Sequence, residues 1–390
     1  MRAATLLLLS TAVAAADPKP GDEGTPAHQK AADLVKQLGH PRYATRESAA
    51  KQLLEMGPAA VPALIAGTKA EDEEVRNRSI ALLPQAKTAE WKRRAAAYLA
   101  DTEGKEKHDL PLLADWEKLV GKPDAGSRKL FADMVRTNGE FLEKVAADRP
   151  GAQAAITARV RALHAQVKGP KGQIKTEIGE LAAVFFADAV APPKQMNWSA
   201  RPFVSQLLAN PTFPEAVDAA DTSPVIRKLL VKWIDDRPRQ DYSAFQQFAS
   251  LAQKKPFPEA GGPLAKMAKD KQADALSVRL VAIQALGKVG GPDAAAALAE
   301  VVPDATQALG GGTDDYRLGD SALAASLTMH GKRLADFGLS NSVRIGFGTG
   351  DDNEIIMLQL YGFRSQDARA KAVEKWKKEV VEKKDEPKKK

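Results

Sequence analysis

The chain has 390 residues and no Cys, so it holds no disulfide and no lipidated cysteine, and its stability must come from a packed core. A formal net charge of +7 points toward anionic partners, yet residues 371–390 alone carry nine Lys and five acids, a local net of +4. Arg2 adds +1, which leaves the body at +2. That balance argues against a nucleic-acid groove, and no specific nucleic-acid partner is expected.

At the N-terminus, Arg2 precedes an apolar run from Ala3 to Val13 with Leu6 to Leu9 at its centre. Ala12-Val13-Ala14 and Ala14-Ala15-Ala16 both fit a small-x-small cleavage site, and Asp17-Pro18 begins polar sequence. Residues 1–16 therefore read as a signal peptide cleaved after Ala14 or Ala16, which predicts a periplasmic or extracellular protein. The run is too short to span a bilayer, and no later stretch approaches the ~20 apolar residues a membrane helix needs. No transmembrane segment is expected.

A Pro- and Gly-rich linker (17–30) leads into helical hairpins over 31–87. In ATRESAAKQLLEMGPAAVPALIAG (44–67), Gly57-Pro58 separates one helix from a second whose Val61, Leu64 and Ile65 face inward. EDEEVRNRSIALL (71–83) opens a further helix, its acids at the N-terminus as the helix dipole prefers. Residues 88–276 are helical by pattern with degenerate repeats. Ile178, Leu181, Ala182, Phe185, Phe186 and Ala189 make the longest stripe there, and Ile226, Leu229, Leu230, Trp233 and Ile234 make another.

The clearest hairpin lies within 277–338, in SVRLVAIQALGKVGGPDAAAALAEVV (277–302). Val278, Val281, Ala282, Ala285, Leu286 and Val289 fall at i, i+3, i+4, i+7, i+8 and i+11, one face of a helix. Gly290-Gly291-Pro292 ends it, because Gly accepts a left-handed cap and Pro suits the first turn of the next helix. Ala294, Ala297, Leu298 and Val301 form the second face. Set against the earlier hairpin, Arg46 matches Arg279, Ala49 matches Ala282, Leu53 matches Leu286 and Gly57 matches Gly290, with eleven residues from Arg to Gly in both.

This VR-x-x-A-x-x-A-L-G-x-x-G-x-P pattern resembles a HEAT repeat, a helical hairpin that stacks into a solenoid. The order of segments is also similar to a family of secreted bacterial HEAT-repeat proteins. The matching pieces are QLGHPRYATRESAAKQL (37–53), HDLPLLADWEKLVG (108–121), RKLFADM (128–134), VRLVAIQALGKVGG (278–291), GDSALAASLTMHG (319–331) and YGFRSQDARAKAVEKW (361–376). The resemblance implies an all-α, α–α superhelical fold and brings no assigned activity. The chain departs from it at 339–358.

That departure, part of a Gly-rich insertion over 339–360, holds the only β pair expected. Val343-Arg344-Ile345 and Ile355 to Leu358 would flank a turn at Gly346, Gly348 and Gly350. A terminal helix over 361–382 is expected to open at the N-cap Ser365 and dock through Trp376. The Lys-rich residues 383–390 are expected to be disordered.

Each stretch with chemical potential has a simpler reading. Gly346-x-Gly348-x-Gly350 lacks the spacing and following helix of a dinucleotide loop, so it reads as a hairpin turn. Asp351, Asp352 and Glu354 beside Asn353 are bunched, whereas a calcium loop alternates its ligands over about twelve positions. His28, His40, His108, His164 and His330 are scattered, with no pair at metal-binding spacing. His108-Asp109 has no nucleophile elbow to serve and reads as a helix-start turn. Trp91-Lys92-Arg93-Arg94 and Trp376-Lys377-Lys378 read as a buried Trp beside a solvated face.

The sequence thus assigns no catalytic, cofactor or metal residue, and it predicts a non-enzymatic binding scaffold with a protein partner. The alternative is an enzyme or metal-dependent subunit with its site at the Gly346–Glu354 loop.

Overall fold

The computed structural model describes residues 25–167, 176–191, 204–237, 241–271, 276–309, 315–339, 341–348 and 355–382. The signal-peptide, Asp351–Glu354 and Lys-tail expectations fall outside those residues. The chain divides into two compact units, residues 1–94 and 95–390. Its structure is mostly helical, with a small four-stranded antiparallel sheet near the C-terminus.

In the first unit, α1 (Pro26–Gln37) packs on α2 (Tyr43–Met56) and α3 (Val61–Gly67). Ala31, Leu34, Leu38, Ala49, Leu53 and Leu64 make its core. Arg46 and Arg76 repeat one device. Arg46 Nη1 donates to the carbonyls of His40 and Pro41 at 2.9 and 3.1 Å, and Arg76 Nη1 to those of Ala70 and Glu71 at 2.8 and 3.2 Å. Each guanidinium ties off the turn that leads into its own helix, satisfying two carbonyls of that turn.

The helix expected to open within 71–83 is α4 (Glu73–Ala100), which runs on with Pro84 inside it. Pro removes one backbone donor and strains the preceding turn. The buried side chains of Leu82, Ala86 and Trp91 hold the helix across it. The boundary expected at 87/88 therefore falls within a helix.

The second unit contains α5 (Leu113–Val120), α6 (Ala125–Ala147), α7 (Ala152–Val167), α8 (Ile178–Val190), α9 (Thr212–Asp218) and α10 (Ser223–Asp235). Helix α8 is buried on every side from Leu181 to Ala189, more than its single expected stripe. Aromatic rings surround it: Phe185 meets Phe213 at 5.0 Å and Trp233 at 4.8 Å, and Phe186 meets Trp116 at 5.3 Å, all edge-to-face. Ring edges against ring faces suit the aromatic quadrupole.

Then follow α11 (Tyr242–Lys254), α12 (Gly261–Lys269), α13 (Leu276–Val289), α14 (Gly291–Val301) and α15 (Leu318–Met329). Helix α13 packs against all four of the others. Hence Leu280 and Ile283, off the expected face, are fully buried as well. The matched positions of the two hairpins agree: Ala49, Ala282, Leu53 and Leu286 are all fully buried, and Gly57 and Gly290 both take positive φ, 55° and 69°. Helices α13 and α15 approach closely at Gly287, where a Cβ would lie 3.0 Å from that of Ala325.

Four strands complete the unit: β1 (Gln307–Leu309), β2 (Asp315–Arg317), β3 (Asn341–Gly348) and β4 (Ile355–Phe363), in the order β1-β2-β4-β3. The expected hairpin is β3–β4, with Arg344 opposite Gln359 and Ile345 opposite Leu358. Strands β1 and β2 were not expected, and they interrupt the stretch read as purely helical. Each is three residues long beside Gly310-Gly311-Gly312, too short to display alternation. Because β4 extends to Phe363, the terminal helix α16 begins at Gln366, capped by the hydroxyl of Ser365 as expected.

Candidate functional site

The histidines do not converge. His108 Nε2 lies 3.0 Å from Asp101 Oδ2, so its partner is Asp101, not the neighbouring Asp109. Backbone N–H donation from Glu106, with further help from Lys105 and His108, holds the Asp101 carboxyl at about 2. The pair ties the two ends of the loop between α4 and α5, and the Tyr98 ring meets the imidazole edge-on at 5.3 Å. His28 sits against its N-cap Thr25, His40 accepts from the Arg42 amide at 3.0 Å, and His330 Nδ1 reaches the Ser326 carbonyl at 2.8 Å. His164 lies within α7, as expected. Among the described residues, no three His or carboxylate groups come together as a metal site.

The two Trp–basic motifs are anchors. Trp91 is buried with Arg94 over its ring at 5.0 Å. Trp376 is buried and donates from Nε1 to the Ser326 hydroxyl at 2.9 Å, fastening α16 to α15. Of the Gly-rich loop, Gly346 and Gly348 belong to β3, while Gly350 to Glu354 lie outside the described residues.

Sequence reasoning missed a buried ionic centre. Asp188 projects from α8, accepts from Trp233 Nε1 at 2.9 Å and pairs with the Arg237 guanidinium, with Asp241 at 3.6 Å from the same group. Burial lowers the Arg237 pKa to about 10, against the pull of Asp241. A signal was present: Asp188 is the one acid in the apolar run VFFADAV. Paired and hydrogen-bonded on these sides, the carboxylate joins α8 to the end of α10, a structural task.

A different place has the form of a binding site. A cleft of about 350 Å³ opens where α11, α13 and α15 meet the β3–β4 ribbon. Gly287, Ala324 and Ala325 line it with small side chains, and Gln253, Gln284, Gln359, Ser321, Arg344, Lys288 and Tyr361 bring polar groups. Gln253 Nε2 donates to Gln284 Oε1 at 3.3 Å, Gln284 Nε2 to the Gln359 carbonyl at 2.8 Å, and Arg344 Nε to Gln359 Oε1 at 2.9 Å. Two helices, α11 and α13, and the ribbon thus hold one chain of amides in place. Small walls with a few oriented polar groups are what a pre-formed ligand pocket requires.

No lining residue was singled out as a ligand contact from sequence, because Gln and Ser have no diagnostic spacing. Comparison with family models, curated proteins and solved structures finds no match to this chain.

Proposed function

We propose that the protein is a non-enzymatic, exported scaffold of the HEAT-repeat type that presents a helical surface to a protein partner. One observation carries this reading. Two hairpins 233 positions apart place the same four residues alike: buried Ala49 and Ala282, buried Leu53 and Leu286, positive-φ Gly57 and Gly290, and Arg46 and Arg279 each donating to a backbone carbonyl. Recurrent hairpins of this kind stack into solenoids whose exposed helices serve as binding surfaces, an argument from fold.

The test is affinity capture with the immobilised mature protein in an envelope extract, read by quantitative mass spectrometry. A protein retained at fixed stoichiometry and released by free mature protein supports the scaffold. Recovery no different from blank matrix overturns it. Export has its own check. The Leu6–Leu9 core and Ala-x-Ala sites support a mature N-terminus at Ala15 or Asp17, and sequencing of native protein that begins at Met1 or Arg2 removes it. Among the described residues no helix is long and apolar enough to cross a membrane.

A further inference from the structure

Ser321 is the anomaly in the cleft. It lies on α15, only 3 % exposed, and its hydroxyl has no hydrogen-bond partner although the residue lines the cavity. An unpaired buried hydroxyl costs free energy, and Ala at this helical position would avoid it. The oxygen itself has almost no accessible surface, so a ligand group reaches it through a rotation of the Ser321 side chain into the cavity, and the bond it forms there removes the penalty. The rest of the lining says what that ligand carries.

Arg344 and Lys288 are the charged residues among the described lining, and no carboxylate accompanies them. The cleft is therefore cationic and selects a negative group. The bond from Arg344 Nε to Gln359 fixes the plane of the guanidinium, and a planar fork matches a carboxylate in two-point contact. The oriented amides of Gln253, Gln284 and Gln359 offer both donors and acceptors, the complement of a peptide backbone. Met357, more than half exposed, and the half-buried Tyr361 supply apolar surface between them.

We propose that this cleft binds an extended acidic segment of a partner protein, its carboxylate held by Arg344 and Lys288 and its backbone by Ser321 and the glutamine amides. The proposal rests on the scaffold reading and adds the place and chemistry of contact.

The experiment is a titration of the full chain at low ionic strength with a labelled hexapeptide of alternating Glu and Ala. A Gln-for-Glu peptide is the neutral control, and an oligomer of uronic acid is the non-peptide anion. The expected result is saturable binding of the Glu peptide, weakened about tenfold in the Gln peptide and in Arg344→Gln, the worth of one charge-assisted bond. Ser321→Ala should weaken binding while raising the melting temperature or leaving it no lower, since its hydroxyl bonds to nothing in the fold and Ala avoids its burial.

No saturable binding, equal binding of the Gln peptide, or indifference to both variants overturns the proposal. Tighter binding of the uronic acid oligomer overturns the peptide assignment. The two readings also fail separately. A captured partner that binds the Ser321→Ala, Arg344→Gln double variant as well as wild type removes the cleft and keeps the scaffold. Absence of any captured partner removes the scaffold.

Discussion

Asp304 is a single carboxylate that fastens three elements. Its Oδ2 lies 2.5 Å from Arg279 Nη2, its Oδ1 accepts from Thr306 at the amide and the hydroxyl, and Arg279 Nε donates to the Ala268 carbonyl at 3.1 Å. Helix α13 is thereby joined to the end of α12 and to the turn before β1. Burial opposes ionisation, but Thr306 and Arg279 outweigh it and hold Asp304 at about 2, below its ordinary 3.8. A depressed carboxylate stabilises the fold above its unfolded pKa, and that stability is lost as pH falls through the folded value. Denaturant unfolding should therefore lose free energy between pH 4 and pH 2. Asp101 titrates in the same window, so the informative quantity is the difference from Asp304→Asn, which should be less stable at pH 7 and flatter below pH 4. Parallel curves would show that Asp304 contributes nothing. Arg279→Ala leaves a buried carboxylate without its cation and should cost about 3 kcal/mol in the same assay.

At the scale of elements, the packing of α13 decides what its surface tolerates. Ala282 is fully buried, while Lys288 is exposed on the same helix. Ala282→Leu should overpack the contact by about 1 to 3 kcal/mol, and Lys288→Leu should change little. Equal melting temperatures would mean that α13 is assigned to the wrong neighbours. This helix was legible because its stripe runs unbroken for a dozen residues and a Gly-Gly-Pro stop follows. The β3–β4 hairpin was legible from apolar runs on either side of glycines. Strands β1 and β2 were not, since three residues carry no period and their pairing is fixed by β4, distant in sequence. The continuation of α4 through Pro84 was also hidden, because burial beyond the proline decides it. The cleft was hidden for a related reason. Gln253, Gln284, Ser321 and Gln359 become one site only after α11, α13, α15 and β4 have packed, and none carries a spacing that marks it beforehand. The Asp188–Arg237 pair depends equally on α8 meeting α10, although an acid within an apolar run gives it a local trace.

At the scale of the whole molecule, the two matched hairpins sit in different compact units, which makes them matched probes of cooperativity. Leu53 in α2 and Leu286 in α13 occupy equivalent positions and are both fully buried. Truncation to Ala removes the same side chain from each core and should cost about 2 to 5 kcal/mol locally, the usual loss for a buried Leu. The first unit has a core of Ala, Val and Leu side chains from α1, α2, α3 with the turn before it, and the first half of α4. The second is built around the Trp and Phe rings packed on α8 and the five-helix stack around α13. A small core buries a smaller fraction of its chain and is the more marginal of the two. Calorimetry of the mature protein should accordingly resolve a lower transition from the first unit and a higher one from the second. Leu53→Ala should lower only the first, and Leu286→Ala only the second. A single transition that both variants lower equally would show that α4, which runs from Glu73 to Ala100, couples the units into one cooperative fold.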